Sequence, residues 1–236
     1  MNLFLILLGY LIFPSTTGNF LASDKWAIFY NPAYIGHRFI ASAEYAEIYS
    51  TFEFFRLSIN ARGAGIGMAT VKSGDFYLNS ITAGYSFSYS PKVRIGLSGE
   101  LNQMFEKGGE GILNSFKINA GLLVNAGDRR KFGISVFNIV STGDLYTKRQ
   151  IVFSSLNGLT HSFEVMFDAV FEESQNVSYV LGAGYRLTHF SRLYAGISTN
   201  PLSYHASIEF SKILDFTYSI SIHPYLGISN FVSISR

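Results

Sequence analysis

Few residues in this 236-residue chain stand where they could do covalent chemistry: His161-Ser162 with Glu164 two places on, and His205 with Glu209 four places on. A serine nucleophile needs its base within hydrogen-bond reach and a third group to orient that base. Neighbouring side chains of an extended chain leave opposite faces, so His161 and Ser162 do not meet. His205 and Glu209 share a face two pleats apart, the spacing of a hydrogen-bonded histidine and not of a working base. The acidic residues are dispersed, with no Asp-x-Asp run and no histidine pair at ligand spacing, so no metal is expected. The glycines of RGAGIGMA (62–69) lie within a strand pattern instead of ahead of a helix, which removes a phosphate-loop reading. The expectation is a protein with no enzymatic activity and no cofactor.

The elements that must position these side chains are strands. Leu214, Phe216, Tyr218, Ile220 and Ile222 alternate with Asp215, Thr217, Ser219 and Ser221, a period of two. The same alternation, broken by short Gly, Asn, Asp and Pro turns, predicts strands over 38–47, 52–60, 63–71, 78–89, 93–105, 112–125, 131–140, 149–156, 161–171, 176–187, 191–198, 203–211, 213–222 and 227–235. The longest stretch between them is STGDLYTKRQ at 141–150. Fourteen antiparallel strands, an even count, bring the end of the chain back to the side where it began.

Charged residues are only 14% of the chain, aromatics 16%, and mean hydropathy is +0.22. Such a balance is unusual for a surface facing water. Beyond the N-terminus no apolar run approaches the roughly 18 residues of a membrane helix, and a closed barrel is the remaining way to satisfy a backbone in lipid. The first 18 residues, MNLFLILLGYLIFPSTTG, carry an apolar stretch from Leu3 to Phe13 and then small residues, the pattern of a signal peptide ending at Gly18, with an anchor helix as the alternative. With no cysteine the chain carries neither a disulfide nor a lipidated cysteine, and a net charge of +2 is too small to argue for nucleic acid. The expected organisation is a signal peptide at 1–18, a lead-in or plug at 19–37 and one all-β transmembrane barrel at 38–236 in a bacterial outer membrane, with lipid as its surroundings.

In the clearer strands Phe163, Val165, Phe167, Ala169 and Phe171 oppose Glu164, Met166 and Asp168, while Ile81, Ala83, Tyr85 and Phe87 oppose Ser80, Thr82, Gly84 and Ser86. A soluble sandwich would alternate too, with the polar face in water. The signal peptide, the Tyr and Phe content and the scarcity of Lys on the polar faces favour apolar side chains toward lipid and polar ones inward. Glu44, Glu100, Glu164, Asp168, Glu209 and Asp215 then share the lumen with Arg56, Arg94, Lys117, Arg186, Arg192 and His205. A nearly balanced set could pair across a narrow interior and hold it closed. Gly65, Gly182, Gly184, Gly196 and Ser207 would leave room inside that other atoms must fill. The segment SDKWAIFYNPAYIGHR, with Trp26, Tyr30, Asn31, Pro32, Ala33 and Tyr34, is either an extended approach to the barrel or a plug within it.

Asn31-Pro32-Ala33 followed by Gly36 resembles the segment that precedes the first strand in the PorV/PorQ family. FGISVFNI, FEVMFDAVFEE, YVLGAGYRL, SRLYAGIS and LDFTYSISIHPYLG follow in that family's order, with Asp168, Gly182, Tyr185 and Leu226-Gly227 on its recurrent positions. Asn-Pro-Ala-Tyr is also similar to the PorP/SprF proteins. The resemblance implies a FadL-like barrel of fourteen strands and a partner-binding role in type IX secretion or surface attachment. A FadL-like channel for hydrophobic small molecules is the alternative it leaves open.

Overall fold

The computed structural model describes residues 24–107, 113–145, 148–173, 177–199 and 202–236. The signal-peptide reading of residues 1–18 lies outside them.

Fourteen strands follow one another: β1 (Ile40–Ile48), β2 (Phe52–Ala61), β3 (Ala64–Ser73), β4 (Phe76–Ser90), β5 (Val93–Glu106), β6 (Leu113–Asn125), β7 (Arg130–Gly143), β8 (Gln150–Gly158), β9 (Phe163–Glu172), β10 (Ser178–Thr188), β11 (Ser191–Ser198), β12 (Ser203–Ser211), β13 (Asp215–His223) and β14 (Gly227–Ser235). Each pairs antiparallel with its sequence neighbours, and β1 pairs with β14 from Ser42↔Ser235 to Ile48↔Ser229, so the sheet closes. Closure leaves no edge strand to template aggregation and satisfies the ladder without water. The stretch predicted as the longest connection is shorter than expected, because β7 continues to Gly143.

Turn chemistry fixes the register. Between β2 and β3 the two-residue turn Arg62-Gly63 has φ of +52° and +84°, the mirror-image turn whose twist matches a hairpin. A Cβ on Gly63 would also fall 2.7 Å from the Ser86 carbonyl oxygen, so only glycine fits there. In β7, Phe137, Asn138 and Ile139 oppose Asn119 alone, between the pairs Ala120↔Val136 and Ile118↔Val140. Asn138 holds this bulge at φ +58°, its N–H donating to Asn119 Oδ1 at 2.9 Å and its Nδ2 to the Lys148 carbonyl at 2.6 Å.

The two faces of the sheet differ in kind. Leu57, Ile59, Ile66, Ile81, Leu97, Leu181, Phe216 and Val232 stand exposed on the outside, where hydrocarbon is the matching solvent. Ser42, Ser58, Thr82, Ser98, Asn102, Asn119, Ser154, Ser207 and Ser219 are buried on the inside. We call the end where residues 36–39 enter and Arg236 lies the terminal end, and the opposite one the far end. At the terminal end Arg236 and Ala41 exchange backbone hydrogen bonds at 2.8 and 2.9 Å.

Candidate functional site

The N-terminal segment lies inside the barrel. A 3-10 turn (Asp24–Trp26), one α-helical turn, α1 (Ala27–Tyr30), and a second 3-10 turn (Pro32–Tyr34) run through the lumen, with Trp26, Ala27, Ile28, Tyr30, Asn31, Ala33 and Ile35 nearly inaccessible. Asn31 starts the second 3-10 turn by accepting the Ala33 N–H at 3.0 Å, and Pro32 follows it at a position that needs no N–H donor. These turns are too short to be stable alone and depend on the wall around them.

The wall ties the segment down at several points. The Lys25 carbonyl accepts Ser58 Oγ at 2.7 Å and Asn60 Nδ2 at 3.1 Å, while Lys25 Nζ donates to Thr217 Oγ1 at 3.1 Å and lies 4.0 Å from Glu209. Asn31 Nδ2 donates to the Leu122 carbonyl at 3.4 Å. The Ile35 carbonyl accepts Ser86 Oγ at 2.8 Å and the Arg94 guanidinium, which also donates to Ser86 Oγ at 2.7 Å. Lys131 donates to the Tyr34 hydroxyl.

Room for a backbone inside the barrel comes from inward glycines on β3 to β6. A Cβ on Gly96 would collide with the Pro32–Ala33 peptide, and one on Gly121 with the Asn31 side chain and the Ala33 amide. Side chains of the segment would likewise meet a Cβ at Gly67 (Phe29), Gly84 (Ile28) and Gly65 (Ile28 and Ile35). Gly65 and Gly84 are the members of this cradle that the sequence alternation places inward. Gly184, also anticipated as leaving room, has that room taken by Tyr194 and Glu164 of the wall.

Arg56 is the centre of the inner cluster. Its guanidinium stacks 4.0 Å from the Trp26 ring, with Tyr30 at 5.1 Å and Phe54 at 5.5 Å, donates to the Tyr30 hydroxyl and lies 2.9 Å from Glu44. Glu44 and Arg56 are cross-strand partners in β1 and β2, and both side chains are almost fully buried. Burial makes each dependent on the other, since an unpaired charge there would lose its hydration without compensation.

The remaining lumen charges face inward as the alternation requires, and some of them are neighbours along the wall. Glu100 and Lys117 are register partners on β5 and β6 at 3.4 Å, and Arg192 and Glu209 are register partners on β11 and β12. Arg186 faces Arg192, Glu164 stands opposite Gly184, Asp168 is buried between Ser154 and Val180, and Asp215 stands between Ser211 and Ser235. The inserted segment occupies the middle of the lumen. His205 meets Ser198 Oγ at 3.3 Å, and His161 lies on an exposed turn against Arg129 at 2.7 to 2.8 Å.

Two features went unnoticed in the sequence. Ile48, Phe52, Phe54, Val71, Met104 and Leu145 form an apolar cluster toward the far end, with Phe52 and Phe54 inward on a strand whose Phe55, Leu57 and Ile59 face out. Phe137, Val152 and Val170 receive Trp26 and Tyr30. Between the segment and β2 to β5 lies a partly open hollow of about 50 Å³, lined by the apolar Phe29, Phe54, Ala69, Val71 and Leu78 and by the polar Tyr30, Arg56, Ser80, Glu100 and Asn102. A mainly apolar hollow with a few convergent polar groups is the usual form of a small-molecule site.

No protein-family model matches the chain, and no curated protein matches its sequence. Solved structures do resemble it. The Pseudomonas putida toluene transporter TodX aligns at TM-score 0.63 and 9% identity over 94% of each chain. A Pseudomonas aeruginosa FadL homologue aligns at TM-score 0.61 and 10% identity, covering 94% of this chain and 98% of the other. The Ralstonia pickettii toluene transporter TbuX aligns at TM-score 0.60 and 10% identity, covering 94% and 95%. At such identities the likeness is one of fold: the chain is a closed fourteen-stranded antiparallel barrel, similar in fold to these FadL-like barrels.

Proposed function

We propose that this protein is a non-enzymatic outer-membrane channel that admits hydrophobic small molecules. The observation that carries the reading is the apolar hollow between the inserted segment and β2 to β5, whose inner surface includes Phe29 and Tyr30 of the segment itself. A guest seated there would touch the part of the chain that fills the lumen, so guest binding and lumen closure share residues. The two charged groups beside the hollow, Arg56 and Glu100, have opposite charges close by in Glu44 and Lys117. That balance suits a guest without formal charge, and the toluene transporters of similar fold are named for such a molecule.

The secretion-partner role implied by the PorV/PorQ resemblance draws no support from these structural likenesses. The far-end turns at 49–51, 74–75 and 224–226 span two to three residues, a modest surface for docking a large partner.

Trp26 is the single tryptophan of the chain and stacks on Arg56, which lines the hollow, so its fluorescence is expected to respond to a guest there. Titrating the detergent-solubilised protein with a monoaromatic hydrocarbon is expected to give a saturable change in Trp26 emission. A Phe54→Asp variant should weaken it, because Phe54 lines the hollow. Emission that only drifts with solvent composition, the same in both proteins, would refute the reading.

A further inference from the structure

The two ends of the barrel differ in charge, and the terminal end is a basic collar. Its interstrand turns, 62–63, 91–92, 126–129, 159–162, 189–190 and 212–214, span two to four residues each. Together with the entry at 36–39 and the start of β7 they present Arg38, Arg62, Lys92, Arg129, Arg130 and Lys212, all exposed, against exposed Asp128 and half-buried Asp215 at the start of β13. At the far end the described charges are mixed, with Glu53 and Lys72 paired at 3.1 Å beside Glu47, Asp75 and Glu106.

Apolar side chains are interleaved with the basic ones. Phe39, Leu159, Phe190 and Ile213 are 55 to 77% exposed on the same turns, and Lys212 Nζ stands 6.0 Å over the Phe190 ring. One or two pleats along the strands come the outward aromatics Tyr89, Phe132, Tyr185 and Phe210. Aromatic side chains at this height mark the boundary of the hydrocarbon. Turns of two to four residues cannot carry their side chains far beyond it, so the basic groups end in the headgroup layer, where long Lys and Arg side chains reach phosphate. An acidic protein partner would need a surface projecting into water and clear of apolar contacts, and this rim is flush and greasy.

We propose that the terminal-end collar binds anionic phospholipid headgroups of the leaflet it faces, and so sets the depth of the barrel in the membrane. The collar is independent of the lumen and of what the channel admits.

The test is lipid selectivity at the protein surface. In phosphatidylcholine vesicles, spin-labelled phosphatidylglycerol should be immobilised by the barrel at least about twofold more than spin-labelled phosphatidylcholine, toward the roughly fivefold preference of a lipid touching one basic side chain. Reversing Arg62→Glu, Lys92→Glu, Arg130→Glu and Lys212→Glu together should abolish the preference, as should raising the salt to about 1 M on the unaltered protein. Equal immobilisation of the two lipids overturns the proposal and leaves the collar to a soluble acidic partner. A preference that survives charge reversal overturns it too, by placing anionic lipid elsewhere. Should the fourfold variant fail to insert, the salt titration alone decides, because a preference that persists in high salt does not come from exposed charges.

Discussion

Inward glycines occur in two regions of the wall and end differently. On β3 to β6 they lie against the inserted chain: Gly96 and Gly121 admit the backbone and the Asn31 side chain and Gly67 admits Phe29, while Gly65 and Gly84 adjoin Ile28 and Ile35 as well as Asn60, Leu97 and Ser98 of the wall. On β10, Gly184 faces the Tyr194 ring and the Glu164 side chain, so the wall fills its own gap. The charges divide in a similar way. Arg56 on β2 is sealed against Trp26, Tyr30 and Glu44, whereas Arg186, Arg192 and Glu164 border a smaller polar hollow toward the terminal end. A barrel position fixes whether a residue points inward; what it meets there depends on which part of the wall the segment lies against.

The largest contrast is in the charges. Glu44→Gln removes the carboxylate 2.9 Å from the buried Arg56 guanidinium and should cost about 3–5 kcal/mol of folding stability. Glu164→Gln, at the polar hollow it shares with Arg186 and Arg192, should cost about 1 kcal/mol or less. Urea titrations of both variants in lipid vesicles measure the difference, and equal losses would remove the distinction between the two regions.

Next come the faces of one strand. Phe216 and Ser219 belong to β13, with Phe216 exposed to lipid and Ser219 buried in the lumen. Phe216→Arg should lose about 2–4 kcal/mol if it lies near the bilayer midplane, and Ser219→Arg less, because the polar lumen can host the guanidinium. The same titrations check it; the reverse order would mean that the face assignment is wrong.

Overpacking the cradle should cost less in stability, about 1–3 kcal/mol, yet change the lumen more. Gly96→Val and Gly121→Val are expected to loosen the segment, seen as a red shift of Trp26 emission and faster iodide quenching. Gly184→Ala, which crowds only Tyr194 and Glu164, should leave Trp26 unchanged. Identical Trp26 spectra in all three variants would disprove the cradle.

Most of the wall was legible in the sequence. The predicted 63–71 and 149–156 became β3 (Ala64–Ser73) and β8 (Gln150–Gly158), and the alternation placed Leu214 to Ile222 on the correct faces. Period-two patterning is local, and the membrane enforces it at almost every outward site. The lumen was less legible because its solvent is partly protein. Phe52 and Phe54 break the apolar-out rule, since the lumen toward the far end buries an apolar cluster of its own. The bulge at Asn138 is two extra residues in a run that still reads as strand, so its only local sign is an Asn among β-branched and aromatic neighbours. Asn31-Pro32-Ala33 was singled out, but its contact with Gly96 and Gly121 joins residues some 60 to 90 positions apart, which no local pattern records.

The central claim is that the segment from Asp24 to Ile35 fills the lumen and forms one side of the guest site. Conductance across planar bilayers addresses it most directly, comparing the full chain with a form lacking residues 24–35 whose circular dichroism still shows the barrel. The account predicts little steady current from the full chain and a clear rise on deletion. A full-length protein that conducts steadily like an open pore, or a deletion that leaves the current where it was, would contradict it.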